Sequence, residues 1–357
     1  MHIEFLIIGQ GICGTWLSWY LKKENKQFLV IDNNLNDSSS RVAAGIINPV
    51  TGRRIVTTWM IDELIPFAWE AYNEIGLELE VLAISQKNII DFFPGIQMRQ
   101  AFLDRLNEGE KYLHSFPDQN HFRNHFHFDF GCGEIYPAYT VHLETLLPAW
   151  RQRLKESNQL LEEQFEHIHL RAGAQKIQYK NITAEKIIFC DGISSFENPY
   201  FNLLPFAFNK GESLIVESTT VPSTHVFKKG FFFSPLLTPG LFWVGSNYIW
   251  DFNDARPTKE FRYLAEELLL NWLTSPFKIF DHKAAIRPAT LERRPFIGLH
   301  PTQPSIGILN GMGTKGCSMA PYFANQLVQH LLHQRPIHPE VDIKRFEKIL
   351  SKSQGDQ

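Results

Sequence analysis

Cysteine is scarce in this 357-residue chain: there are four, at Cys13, Cys132, Cys190 and Cys317, and no two form a CxxC pair. Such spacing offers neither a disulfide framework nor a cysteine zinc site. It suits a reducing compartment, so the cytoplasm is the expected location. An excess of one charge is also missing. Lys and Arg number 35 against 38 Asp and Glu, a formal charge of −3, and the basic pairs Arg53-Arg54 and Arg293-Arg294 are short. That balance lacks the electrostatic footprint of a nucleic-acid or anionic-membrane binder, and no nucleic-acid partner is expected. The uncharged stretch 230–250 is broken by Pro235, Pro239 and Gly240. It reads as two buried strands joined by a turn, with no membrane span expected. No basic segment precedes the apolar run 5–8, which is too short for a signal-peptide core. Internal repeats and low-complexity tracts are absent.

What is present is globular: 44% hydrophobic and 20% charged residues, in a length that suits two domains. Residues 4–8 read as a strand, 12–23 as a helix with Ile12, Trp16, Trp19 and Tyr20 on one stripe, and 28–31 as a second strand. This β-α-β unit favours a doubly wound parallel sheet. Helices are expected at 62–83, 99–108, 140–157, 258–273 and 317–333. In the helix at 140–157, Pro148 either kinks the helix or begins its straight part. Strands are expected at 121–130, 184–190, through much of 211–250 and at 306–309. The last residues, 351–357, are expected to fray.

Gly9-Gln10-Gly11-Ile12-Cys13-Gly14 is a GxGxxG set between the first strand and helix. The first glycine permits the tight turn, the second a close pyrophosphate, the third close packing of helix on strand. Asp32 closes the next strand, where a carboxylate accepts hydrogen bonds from a ribose diol and repels a 2′-phosphate. The pattern in register points to FAD or NAD and disfavours NADP.

Four further segments bear on which cofactor is bound. Residues 42–49 read VAAGIINP, 187–192 read IIFCDG, 287–298 carry RPAT and RPFIG, and 311–322 read GMGTKGCSMAPY. In this order they resemble the D-amino acid oxidase and glycine oxidase superfamily of flavoproteins, over most of the chain. The resemblance implies an α/β fold: a Rossmann-like FAD-binding domain of the glutathione-reductase type, with an inserted α+β substrate domain on an antiparallel sheet. The FAD-binding part is expected at 1–80, 140–195 and 285–357, the substrate part at 81–139 and 196–284. The cofactor implied is FAD, held without a covalent bond, since no cysteine lies near the RPxT segment. Cofactor candidates are Gly9, Gly11, Ile12, Gly14, Asp32, Asn33, Ser40, Arg41, Ala43, Ala44, Gly45, Ile46, Gly192, Gly311, Met312, Gly313, Thr314, Lys315 and Gly316. The loop 311–316 and the helix behind it offer backbone N–H groups and a positive dipole end to the charge that builds on a reduced flavin. Lys315 reads either as an added charge there or as a solvated lysine.

In this superfamily an arginine of the RPxT segment clamps the substrate carboxylate, and Arg287 is the match. Arg287 lies in an apolar setting (Ala284, Ala285, Ile286, Pro288) and needs an anionic partner, either a protein carboxylate or a substrate carboxylate. Tyr248 matches a position near the flavin's reacting face. Three positions depart from the family pattern. Phe232 stands for a carboxylate-binding tyrosine, Trp243 for an oxygen-activating lysine, and Met312 for a frequent histidine. The resemblance therefore implies oxidation of the C–N bond of a small amino acid or N-alkyl amino acid, a partner with a carboxylate and an amine. Oxidation of a modified tRNA nucleoside and a non-catalytic flavin sensor are the alternatives. Of His121, His125 and His127, the last two alternate with Phe126 and Phe128 and read as one solvated strand face without a third ligand of suitable spacing, so no metal is expected.

Overall fold

The computed structural model describes residues 1–352 apart from 53 and 174. Arg53 and the expected fraying from 353 onward lie outside the described residues. The fold is α/β with mixed sheets, and the chain forms two compact units. One comprises Met1–Arg41, Glu144–Asn209 and Ile286–Gln357; the other comprises Val42–Leu143 and Lys210–Ala285. By compactness, 42–80 fall in the second unit and 196–209 in the first.

The first unit is built on one eight-stranded sheet. Its centre is a parallel run: Leu160–Leu161 beside Phe28–Ile31, then His2–Ile8, then Ile182–Phe189, then Ile306–Asn310. On the side away from His2–Ile8, Ile182–Phe189 is shared between two neighbours. Its first half pairs antiparallel with Ile177–Tyr179 and its second half parallel with Ile306–Asn310. These strands carry near-continuous Ile, Leu and Val because both faces are covered. Leu6, Ile187, Ile306 and Ile308 are all fully buried in the resulting core. The helices Ile12–Lys23, Leu143–Glu156 and Gly316–His333 belong to this unit, apart from the first residue of the second. Pro148 lies in the second turn of its helix.

The second unit holds a sheet of order Lys278–Arg287, Asn209–Glu217, Leu241–Gly245, Phe231–Pro235, Val226–Lys229, Ile89–Phe92, Cys132–Ile135, Leu113–Ser115. The first two of these strands each run across the boundary of the unit. The stretch 230–250 supplies the antiparallel pair Phe231–Pro235 and Leu241–Gly245. An antiparallel sheet was expected, but Val226–Lys229 and Ile89–Phe92 run parallel, so the sheet is mixed. Phe92, Phe126, Phe227, Phe233 and Trp272 fill its core with the helix Lys259–Trp272.

The strand expected at 121–130 does not form. The segment is a series of turns, with Arg123 N–H donating to Asn120 O at 3.0 Å and Phe126 N–H to Phe122 O at 2.9 Å. Phe122 and Phe126 are both buried, and their i, i+4 spacing suits a helical turn, so the aromatic alternation was misleading. His125 and His127 therefore share no strand face. Among the described residues no helix is long and apolar enough to cross a membrane.

Candidate active site

The first strand ends at Gly9, whose φ is 98°. A Cβ on Gly14 would lie 1.8 Å from the Gly9 carbonyl oxygen, so only glycine lets the helix start so close to the strand. The helix Ile12–Lys23 opens at Gly11, and the Ile12 N–H donates to Ser40 Oγ at 3.0 Å. First-turn N–H groups have no acceptor within a helix, which leaves this end suited to an anion.

Asp32 is held on three sides. Oδ2 accepts the Gln10 N–H at 2.8 Å, while Oδ1 accepts the Asn34 N–H at 2.8 Å and Nη1 of Arg151 at 2.6 Å. Nearby, Arg41 donates to the Asn34 side-chain oxygen at 2.8 Å, and Asn33 donates to the Gln164 side chain.

The strand Ile182–Phe189 runs out into Asp191 and Gly192. The Asp191 carboxylate accepts from the Ser195 hydroxyl, from Asn198 at 3.2 Å and from Asn310 at 3.3 Å. Burial pushes its pKa up to about 6 in spite of these donors. Asn310 Nδ2 also reaches the Gly192 carbonyl at 2.8 Å, and its side-chain oxygen accepts the Gly311 N–H at 2.8 Å. The end of the strand Ile182–Phe189 and the start of the glycine loop are thus one hydrogen-bonded node.

That loop touches two other motifs. The Gly313 N–H donates to the Pro288 carbonyl at 3.1 Å. A Cβ on Gly316 would come within 3.3 Å of Ile12 Cγ2. Met312 is buried, Thr314 exposed and Lys315 half-buried, at the N-cap of Gly316–His333. Burial, with Arg293 adding repulsion, lowers the Lys315 pKa to about 8. The thiol of Cys13, inside the first motif, is pushed up to about 12 by burial and Asp191, so it is inert at neutral pH. Arg287 ends its strand half-buried, and its Nη1 donates to the Asn209 side-chain oxygen at 2.7 Å.

In this way the structure brings Gly9, Gly11, Ile12, Gly14, Asp32, Ser40, Gly192 and the 311–316 loop together within the first unit. Ala43, Ala44, Gly45, Ile46 and Tyr248 belong to the second unit. There Gly45 is pinned to the strand Tyr139–Val141, its carbonyl accepting the Val141 N–H at 2.9 Å, and Ile46 pairs with Thr140. Tyr248 is 58% exposed, on the loop after Leu241–Gly245. Trp243 is buried and donates from Nε1 to the Val42 carbonyl at 2.8 Å; Phe232 pairs with Gly245 on the neighbouring strand.

Sequence reasoning passed over two polar groups. Arg151 is one; its signal was an arginine on the same helical stripe as Leu147 and Leu154. The other is Glu212, fully buried in the second unit. It accepts from Thr258 N–H at 2.6 Å and Thr258 Oγ1 at 2.8 Å, with His282 Nε2 at 3.1 Å and Lys210 Nζ at 3.7 Å. Its signal was two charged residues, Lys210 and Glu212, inside an otherwise buried strand. Among the described residues, no group of three or more His, Cys, Asp or Glu side chains is arranged to hold a metal.

The first unit's residues fit a dinucleotide: a helix N-terminus, a carboxylate at the end of the second strand, and open space where a Cβ of Gly192 would project. The comparisons agree. A family model described as FAD dependent oxidoreductase, DAO, matches residues 4–330. Iminodiacetate oxidase from Chelativorans sp. BNC1 superposes with a TM-score of 0.77 at 18% identity, covering 96% of this chain and 98% of that one. Glycine oxidase from Geobacillus kaustophilus gives 0.80 at 16%, covering 97% and 98%. An L-α-glycerophosphate oxidase from Mycoplasma pneumoniae with FAD bound gives 0.72 at 14%, covering 95% and 97%. These likenesses are likenesses of fold.

Proposed function

The chain belongs to the FAD dependent oxidoreductase family, DAO, and from that premise we propose that it oxidises the C–N bond of a small amino acid or N-alkyl amino acid. In this reading the first unit is a Rossmann-like FAD-binding domain and the second is the inserted substrate domain. Bound FAD supplies the hydride acceptor. The Gly9–Gly14 turn, Ser40, Gly192 and Gly311–Gly316 hold the pyrophosphate and ring, and Asp32, with Asn33 and Arg41 beside it, the adenosine ribose. The loop 42–49, with Ala43 to Ile46, runs past the ribityl chain. Lys315, whose pKa of about 8 keeps it largely protonated at neutral pH, offsets negative charge on the ring.

Arg287 carries the substrate assignment. It stands at the arginine of the RPxT segment, and a half-buried guanidinium oriented by the Asn209 side-chain oxygen has the planar, two-pronged shape that suits a carboxylate. Tyr248, Phe232 and the buried Trp243 are assigned to the substrate wall, an aromatic lining that favours a neutral amine and excludes water. FAD is held without a covalent bond, so denaturing and filtering the holoprotein releases the yellow colour. The four buried free cysteines fit a reducing compartment such as the cytoplasm.

The test is anaerobic mixing of the holoprotein with amino acids, N-alkyl amino acids and 2-hydroxy acids, reading loss of flavin absorbance. An amino compound is expected to bleach the flavin, and Arg287→Met to lower kcat/KM for it by about 100-fold. Bleaching by hydroxy acids alone would remove the amine assignment. Tight FAD with no bleaching by any of the three classes would favour a sensor or an RNA-linked substrate.

A further inference from the structure

Arg151 projects from the helix Leu143–Glu156 and its side chain is only 6% exposed. Nη1 donates to Asp32 Oδ1 at 2.6 Å and to Gln10 Oε1 at 3.2 Å, and Nη2 donates to the Asp32 carbonyl at 3.1 Å. On its other edge, Nη2 and Nε reach Glu162 Oε1 at 2.8 and 3.2 Å. Glu162 in turn meets Lys155 at 2.7 Å, and together Lys155 and Arg151 lower its pKa. A planar, permanently charged group with donors on both edges can hold two carboxylates at once, which a lysine cannot.

The arrangement reaches into the GxGxxG turn. Gln10 is almost fully buried; its backbone N–H binds Asp32 Oδ2, and its side chain donates to Thr15 Oγ1 at 3.0 Å and the Leu147 carbonyl at 3.2 Å. Asp32 thus has Oδ2 anchored by the turn's own backbone and Oδ1 anchored by Arg151. Remove the guanidinium and Oδ1 keeps only the Asn34 N–H, on the short loop after the strand. We propose that Arg151 is a positioning residue for the cofactor: acting through Asp32, it sets the carboxylate's orientation toward the adenosine ribose and partly neutralises its charge beside the pyrophosphate. This rests on FAD occupying the first unit's cradle.

The test is a double-mutant cycle on FAD affinity, read by titrating apoprotein and following flavin fluorescence. The variants are Asp32→Asn, Arg151→Met and the pair, and the melting temperature of each apoprotein is recorded alongside. Arg151→Met is expected to weaken FAD binding by about 10- to 30-fold when Asp32 is present, and by less than about twofold in the Asp32→Asn background. Arg151→Lys, which keeps the charge but not the fork, should recover part of the loss. Equal weakening in both backgrounds, or no weakening in either, would overturn the proposal. Should Arg151→Met fail to fold, the same cycle with Arg151→Lys decides it by the same criterion. Wild-type apoprotein that takes up no FAD would instead sink the cofactor reading itself.

Discussion

The two units solve their packing differently. In the first, the tolerances at the glycine turn are set by the backbone: Gly14 is needed because a Cβ would strike the Gly9 oxygen at 1.8 Å, while branched aliphatic side chains on parallel strands form the centre of a core that also holds Tyr179, Phe189 and Phe201. In the second, the core is aromatic. Phe92 lies 5.0 Å from Phe126 and 5.8 Å from Trp272, ring centroid to centroid, and Phe126 lies 4.9 Å from Trp272. The glycine turn of the first unit takes its shape from what is absent at a few positions, the sheet core of the second from the volume of a few large rings. A site that must admit a cofactor against its backbone needs the former.

This contrast predicts different kinds of damage. The largest effect on stability is expected from Trp272→Ala, which empties the centre of the aromatic cluster and should cost about 3–5 kcal/mol of unfolding free energy, measured by denaturant titration. A cost under about 1 kcal/mol would mean that the cluster collapses around the hole and is not volume-limited. Gly14→Val should act on the ligand instead, weakening FAD binding by at least about 100-fold, equivalent to about 2.7 kcal/mol. Retention of the yellow colour through gel filtration by that variant would break the backbone argument.

The smallest expected effect is a pH dependence at the node of Asp191. Its folded pKa of about 6 stands above the ordinary 3.8. The folded state therefore holds this proton through a window where the unfolded chain has released it. The stability so gained is present in acid and is lost as pH rises from about 4 through 6. Asp191→Asn removes the titration, so apoprotein melting temperatures of the variant should fall less than those of the wild type between pH 4 and pH 7. Parallel curves would show that this carboxyl does not titrate in that window.

The same contrast explains what could be read from the chain. The motifs of the proposed cofactor site can be picked out in the chain because each is a short run whose conformation depends on local backbone: GxGxxG, Asp32 at the end of a strand, the glycine loop before a helix. The structure closes Gly9, Asp32, Ser40, Gly192 and Gly311 into one neighbourhood from motifs far apart in sequence. The aromatic core was harder. Residues 121–130 alternate as a strand would, yet turns form there because Phe122 and Phe126 are drawn into the cluster by distant partners such as Trp272. Arg151 escaped for a related reason. An arginine on an amphipathic helix looks solvated until the fold brings Asp32 against it, and Glu212 was hidden in the same way by Thr258 and His282.

The shared strand Ile182–Phe189 bears on how the molecule comes into being. It lies between His2–Ile8 and Ile306–Asn310, strands far apart along the chain. Pairings of such wide sequence separation form slowly, because a long loop must close before they are rewarded. On the ribosome, the β-α-β segment has to wait, with one flank of its sheet unfinished, until Ile306–Asn310 has emerged. A nascent chain stopped before Ile306 would present the second half of Ile182–Phe189 as an open edge, the kind of surface on which chaperones act and aggregates begin.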